Sequence, residues 1–380
     1  MAGYLIAVGG EKAEQLSALK KIVETGVYST LVKTLSPGPF EGTLTDYLSM
    51  KEGDNIYFFC DRKIYGVGKL VSINDDCKYC NYIDSTKLQR FPENTIQSSL
   101  IIDYGDDSWK YRWFCIFEGD PYFFEEGIDM DEALRYKPST FKMLRAFWKL
   151  SFIKLGDEEN TSLKELIYLK HQHELRKQTG ILPENKTVHA MIQNRQLNNH
   201  IISPYPLLAG VTAGQRVKHE MALEATVVFD LCHGGLEELL GCWDYVSHQV
   251  IASPFKPVDY MDKIDVFAAR YLEGTTIQCK YLVAELKKDS AGCETIDQVL
   301  KYVDWVCNEY AYGDYESIQA CIIAAEFESG IDEYYSQVVQ RSYIVGSHPA
   351  KNKKWNALKL IEYSYVNGTI QYIDKTPSIP

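Results

Sequence analysis

Tyr281-Leu-Val-Ala-Glu285-Leu-Lys287-Lys288 is an apolar run that ends in charge. Its four leading residues suit a buried central strand better than an edge. Side chains of a strand alternate faces, so Glu285 and Lys287 share one face while Ala284 and Leu286 take the other. Charges that close a buried strand need a compensating role. Upstream, 262–271 reads as a strand joined to 276–287 by a turn at Glu273-Gly274. A hairpin of that kind can bring Asp265 beside Glu285. Downstream, 295–310 is an amphipathic helix with Ile296, Val299, Leu300, Val303 and Val306 on its apolar side. Another apolar strand spans 318–327. Further upstream, 216–232 reads as a helix ending at Gly234-Gly235, and 236–240 as a shorter one. This order of elements predicts an α/β or α+β fold.

Asp265 and Glu285, at the end of paired strands, would make a hard-oxygen site suited to Mg²⁺ or Mn²⁺. A lysine beside them, Lys287, can orient an attacking water and stabilise negative charge developing on a phosphate. Gln298 and Tyr302, four residues apart, share a helix face. Glu220 and Glu224 are likewise one turn apart on the preceding helix, and either could add a carboxylate. A Glu-x-Lys alternation taken alone is usually a solvated face; the apolar run before it argues otherwise here.

Lys263-Ile-Asp265-Val, then Tyr281-Leu-Val-Ala-Glu285-Leu-Lys287-Lys288, then Asp297-Gln298-Val-Leu-Lys-Tyr302-Val resemble the PD-(D/E)XK nuclease superfamily. The NucS/RecB-like branch, with Asp, Glu-x-Lys and Gln-x-x-x-Tyr, is the nearest pattern. The resemblance covers about residues 216–330. It implies a restriction-endonuclease-like α/β domain over 216–380 and a Mg-dependent phosphodiester hydrolase. It assigns the metal to Asp265 and Glu285, catalytic assistance to Lys287, and a place beside the site to Gln298. The family's helical glutamate falls on Glu220 or, second, Glu224. Ile264 stands where the family's Pro would precede Asp265.

The N-terminal half has a different texture. Lys12 to Thr25 has helical spacing closed by Gly26. Strands are expected at 56–60 and 64–71 around a polar turn Asp61-Arg62-Lys63, and near 100–104 and 111–117. They suggest a small β-barrel. Lys51-Glu-Gly-Asp54-Asn-Ile-Tyr57-Phe-Phe and Ile64-Tyr-Gly66-Val-Gly68-Lys-Leu-Val resemble the strand pair of EVE and other PUA-like domains. Arg135-Tyr-Lys-Pro138-Ser-Thr-Phe141 and the run through Trp148 and Ser151 fit the end of such a domain. The resemblance implies that 1–157 reads nucleic acid, holding a modified base in an aromatic pocket. Tyr28, Trp109, Trp113 and Trp148 would be its stacking residues, with Ser151 as a polar contact. A barrel of this size also needs aromatic core residues.

The 380 residues carry 40 basic and 52 acidic side chains, a net charge of −12. That argues against a protein that coats nucleic acid through bulk positive charge. The charge is uneven: −6 over 1–160, +5 over 161–219 and −11 over 220–380. Residues 158–215 therefore read as a helical basic linker. Ser162-Leu-Lys-Glu165 is a capping-box pattern that would open its helix, running to about Lys177. Lys164, Lys170, Arg176, Lys177 and Arg195 are its candidate phosphate-tracking side chains. There is no basic leader and no run of the roughly 18 apolar residues that span a membrane. The scattered cysteines suit reduced thiols, so a cytoplasmic protein is expected. Cys77-Lys-Tyr-Cys80 lacks the second ligand pair of a zinc site. His219, His233 and His248 are expected to be structural or surface groups. No phosphate-cradling loop is present, which leaves no nucleotide cofactor. The reading that unites these features is a metal-dependent DNA endonuclease that restricts foreign, phage-type DNA by recognising particular bases. A homodimer would supply two active sites for two strands. The alternatives are a non-catalytic binding module that keeps the nuclease fold, and an RNA-directed nuclease.

Overall fold

The aromatic runs of the N-terminal half become strands of one sheet. The computed structural model describes the chain except residues 32–36, 82–99, 106, 147–151, 197–199, 209, 254–255, 257–260, 276, 347 and 379–380. Two compact units result: residues 1–36 with 46–202, and 37–45 with 203–380. Both are mixed α+β.

The first unit is built from β1 (Gly3–Ala7), β2 (Val27–Leu31), β3 (Asn55–Cys60), β4 (Lys63–Leu70), β5 (Lys78–Cys80), β6 (Arg112–Asp129) and β7 (Phe152–Leu155). The sheet order is β2-β6-β4-β3-β1-β7, with β5 also on β6. Only β1 and β3 run parallel. The first residues of β6 pair with β2 and β5, and its remainder from Phe117 onward pairs with β4. Gly66 makes that second pairing possible. Its φ is 121°, and a Cβ there would lie 2.7 Å from Phe123 Cα. The hairpin turn between β3 and β4 places Asp61 and Arg62 at positive φ, as a tight two-residue turn requires.

Three expectations are corrected in this unit. Leu100 to Tyr104 is not a strand. Asn81 takes the place of a ladder partner there: its Oδ1 accepts from the Ile101 N–H at 2.6 Å and its Nδ2 donates to Ile102 O at 2.8 Å. The helix expected from Ser162 begins at Asp157 and ends at Lys170, with Ser162 buried inside it. The segment from 158 to 202 is also not a separate linker. Leu163, Leu166 and Ile167 are buried, and Asn160 accepts from Tyr57 Oη at 2.7 Å and donates to Asn55 Oδ1 at 3.1 Å. Those contacts fix the helix on the sheet, so the boundary falls after Ile202. Two of the candidate phosphate-tracking lysines are already paired within the unit, Lys164 with Asp120 and Lys170 with Glu132.

The second unit opens with a small ribbon, β8 (Thr212–Ala213) and β9 (Arg216–Val217). The helix expected from Arg216 therefore starts later, as Glu220–His233. Next come β10 (Tyr245–Ile251), β11 (Lys263–Tyr271), β12 (Gln278–Ala291), β13 (Ile318–Phe327), a ribbon of β14 (Arg341–Val345) and β15 (Lys351–Trp355), then β16 (Leu358–Val366) and β17 (Thr369–Asp374). The main sheet runs β10-β11-β12-β13-β16-β17. Its centre, β12, β13 and β16, is parallel, and its flanks are antiparallel. The helix Cys293–Glu309 links β12 to β13 and buries Ile296, Val299, Leu300, Val303 and Val306, the face its spacing predicts. Among the described residues, no helix is long and apolar enough to cross a membrane.

Candidate active site

The charged end of Tyr281–Lys288 lies where β11 and β12 part. Their ladder runs as far as Val266↔Ala284. One step further, Asp265 Oδ2 accepts the Leu286 N–H at 2.9 Å, so a side chain replaces the next ladder partner. Glu285 is 1% exposed. Its Oε1 accepts from Lys287 Nζ at 2.7 Å, its buried Oε2 meets no N–H or hydroxyl donor, and the Asp265 carboxyl is near enough to share a proton with it. A carboxyl pair at such depth is costly unless a shared proton or a cation joins it. The Lys287 side chain keeps 28% of its surface open, which leaves its ammonium reachable from solvent.

Just beyond Lys287, β12 carries an extra residue against β13, between Lys287↔Ala324 and Ser290↔Glu326. Bulges of this kind re-aim side chains. Here Lys288 N–H donates to Glu220 Oε2 at 3.3 Å, and Lys288 O accepts from Tyr363 Oη at 2.6 Å. Glu220, the first residue of its helix, thus joins the cluster from the Lys287 side. Glu224, one turn on, is placed differently. It is 2% exposed and both its oxygens are engaged inside, by His248 Nδ1 at 2.6 Å and Gln249 Nε2 at 2.7 Å. Gln298 donates to Tyr302 Oη at 3.1 Å rather than to a carboxylate. Burial pushes the Tyr302 hydroxyl up, helped by the charges of Glu285, Asp262 and Asp265.

The electrostatics follow from crowding. Burial raises Asp265, and the charges of Glu285 and Glu224 raise it further; the Leu286 N–H and Lys287 only partly offset this. Burial raises Glu285 as well, helped by the Glu220 charge, against the opposing pull of Lys287 and of a hydrogen bond with the Asp265 carboxyl. Burial works to lower Lys287, but its hydrogen bond to Glu285 and the charges of Glu285, Glu220 and Asp265 outweigh it. Two such carboxylates ionise together only at a cost unless a cation joins them. A divalent ion fits this donor set: both groups offer hard oxygens, Glu285 Oε2 meets no N–H or hydroxyl donor, and a cation can take the place of the proton the pair would otherwise share. Among the described residues, no group of three or more His, Cys, Asp or Glu side chains forms a ready-made cage. The fit is to a cation held by few protein oxygens, as Mg²⁺ commonly is.

In the first unit the expected base-stacking residues fare differently. Trp113 is 2% exposed and packs on Tyr47 with ring centroids 6.1 Å apart. Trp109 is 7% exposed within a core cluster that includes Val27, Tyr79, Ile101 and Phe114. A stacking platform needs an open ring face; Trp113 sits in the core, while Trp109 also lines a cavity of about 250 Å³ with Lys21, Ser29 and Arg112. Tyr28 is half-buried beside Phe58, and burial pushes its hydroxyl up to about 12. Trp148 and Ser151 lie outside the described residues. A cavity of about 690 Å³ opens elsewhere in the second unit, lined by Trp243, Arg270, Lys280 and Lys359 among others. It contains none of the residues of the carboxylate cluster.

Sequence reasoning did not anticipate Gln249 or the partnership of His248 with Glu224. No periodicity signals either one.

No protein-family model matches the chain, and no curated protein does. Among solved structures it is similar to Rpa0253 from Rhodopseudomonas palustris, at 12% identity over 46% of this chain and 97% of that one, with a TM-score of 0.28. A hypothetical protein from Leishmania major aligns at 14% identity over 47% of this chain and 97% of that one, with a TM-score of 0.27. The DUF55 domain of human thymocyte nuclear protein 1 aligns at 14% identity over 44% of this chain and 99% of that one, with a TM-score of 0.24. At such TM-scores the likeness carries no argument.

Proposed function

We propose that this chain is a metal-dependent DNA endonuclease with a restriction-endonuclease-like second unit and a PUA-like, base-reading first unit. The observation that carries the reading is the close pair of half-buried Asp265 and buried Glu285 beside Lys287, at the fork of β11 and β12. The order of helix Glu220–His233, strands β10 to β12, helix Cys293–Glu309 and strand β13 also agrees with the resemblance in 216–330.

In this reading Asp265 and Glu285 hold Mg²⁺ or Mn²⁺. A bound ion would supply Lewis acidity and neutralise charge on a phosphate oxygen. Lys287 is reachable from solvent while held by Glu285, so it can donate to a non-bridging phosphate oxygen and orient the attacking water. Glu220 adds its charge to that of Glu285 in raising Lys287 and holds the bulge through Lys288 N–H. Gln298 and Tyr302 line the neighbouring helix face. A role in restricting foreign DNA, and a homodimer that cuts both strands, extend the same reading by analogy.

The test is cleavage of DNAs carrying plain, methylated and hydroxymethylated cytosine, with Mg²⁺ and with EDTA. Wild type should cut at least one of them, and Glu285→Ala and Lys287→Ala should each lose about a hundredfold or more. Wild-type rates in either variant overturn the assignment. Binding that survives EDTA without any cleavage favours a non-catalytic module. Cleavage of RNA in a parallel digest, with DNA left intact, moves the substrate class to RNA.

A further inference from the structure

Behind Asp265 lies a chain of half-buried contacts, around the buried Glu224, that the nuclease reading does not use. Gln249 Nε2 donates to Glu224 Oε2 at 2.7 Å and to Asp265 Oδ1 at 3.2 Å. One amide nitrogen carries two hydrogens, so it can serve both carboxylates at once. Glu224 Oε1 is met from the other side by His248 Nδ1 at 2.6 Å. A carboxylate only accepts, so the ring hydrogen sits on Nδ1.

The backbone is bent to allow this. His248 and Gln249 are consecutive residues of β10, and consecutive side chains of a regular strand point to opposite faces. Both nevertheless reach the same carboxylate. Gln249 manages it with φ at 50°, in the left-handed region that a non-glycine residue enters at a cost of roughly 1–3 kcal/mol. The β10–β11 register shows the same break. It runs through His248↔Val266 and resumes at Val250↔Ile264, and the intervening pair, Gln249 with Asp265, is missing from the ladder. The amide of Gln249 meets Asp265 through its side chain instead. Asp265 is thereby fixed at both oxygens, Oδ2 by the Leu286 N–H and Oδ1 by Gln249.

We infer that Gln249 is a positioning residue for Asp265, backed by Glu224 and His248, and that it sets the affinity of the Asp265–Glu285 site for a divalent cation. Glu224 and the His248 side chain are only 2% and 9% exposed, which places them behind the site rather than against a substrate. The inference rests on the metal-site reading of Asp265 and Glu285. Losing a supporting contact of this kind typically costs ten- to a hundredfold in metal affinity.

The full-length chain can be titrated with Mn²⁺ by calorimetry and by the electron paramagnetic resonance of free Mn²⁺, alongside thermal unfolding. Gln249→Ala and Gln249→Gly both remove the amide, but only the glycine also relieves the left-handed backbone. Both should weaken Mn²⁺ binding by about tenfold or more, and the glycine variant should unfold no lower than wild type. A purely structural role predicts that affinity follows stability, so the two variants would differ. Mn²⁺ affinity within twofold of wild type in Gln249→Gly overturns the inference. Asp265→Ala separates the two levels. If wild type binds no Mn²⁺ that Asp265→Ala abolishes, the metal reading itself fails, and the role of Gln249 with it.

Discussion

Glu159 is buried for a different reason from Glu285. Its Oε1 accepts from the Leu144 N–H at 3.2 Å, at the start of the short helix Met143–Ala146, and the N–H groups of Lys142 and Met143 also favour its charged form. Burial outweighs these donors and pushes its carboxyl up to about 7. The folded state therefore binds this proton more tightly than the unfolded chain does. Its contribution is fully present below the ordinary glutamate range and is lost as pH rises from there through about 7. The loss amounts to something on the order of 3 kcal/mol. Glu159→Gln should match wild type at pH 4 and unfold at a higher temperature than wild type at pH 8. A thermal unfolding series across that range checks it, and parallel pH curves for the two proteins refute it. Glu220 allows a cleaner separation of charge from contact. Glu220→Gln keeps an oxygen for the Lys288 N–H but removes the charge that raises Lys287 and Glu285. On the nuclease reading it should lower kcat by roughly tenfold or more. An unfolding midpoint unchanged alongside that loss would assign the effect to charge.

At the scale of elements, buried apolar runs were the legible part. β11, β12 and β13 announce themselves because both faces of a central strand are covered, so their apolar residues run on without a polar partner. The helix Cys293–Glu309 is legible from its period. β10 is not, because Ser247-His-Gln interrupts it, and those residues make sense only once Glu224 and Asp265 are beside them. Asn81 hides the loop at Ile101 in the same way, since a side chain thirty or fewer positions away supplies what a strand would have supplied. The carboxylate cluster was readable in part: spacing gives Glu285 and Lys287 a shared face, and a hairpin can bring up Asp265. The residue that ties Asp265 to Glu224 depends on a left-handed φ at a glutamine, which no composition rule anticipates. Glycines give a testable contrast on this scale. Gly66 stands at φ 121° with Phe123 Cα 2.7 Å from where a Cβ would sit, whereas Gly53 stands at φ 88° with open space around that position. Gly66→Ala should destabilise the first unit by about 3 kcal/mol or more, from strain and clash together, and Gly53→Ala by about 1 kcal/mol, from strain alone. Urea unfolding of both variants would measure the difference, and equal losses would show that the close approach to β6 does not matter.

The charge of the whole molecule looks different once the boundary falls after Ile202. The first unit carries 25 basic and 27 acidic side chains, and the second 15 and 25, so nets of −2 and −10 replace a basic segment between two acidic ones. The excess of positive charge over 161–219 is partly spent at home. Lys164, Lys170 and Lys186 pair with Asp120, Glu132 and Glu118, all from β6 or the helix Met130–Tyr136 that follows it. Those lysines neutralise the acidic surface of their own unit and are poorly placed to release counterions from DNA as well. Arg176, Lys177 and Arg195 stay exposed on short helices and keep that capacity. On the nucleic-acid reading, each phosphate they contact contributes about 0.9 to the slope of log affinity against log salt. The triple variant Arg176→Ala, Lys177→Ala, Arg195→Ala should therefore flatten that slope by about 2 to 3 and weaken binding uniformly across sequences. Lys164→Ala with Lys170→Ala should leave the slope unchanged and shift only thermal stability, slightly, as exposed or half-exposed ion pairs do. Fluorescence anisotropy on a labelled duplex between 50 and 200 mM salt distinguishes the two sets. A slope that falls in the lysine pair but not in the triple variant would mean that the ion pairs open on binding, and that the basic stretch tracks phosphate through a surface other than the one exposed here.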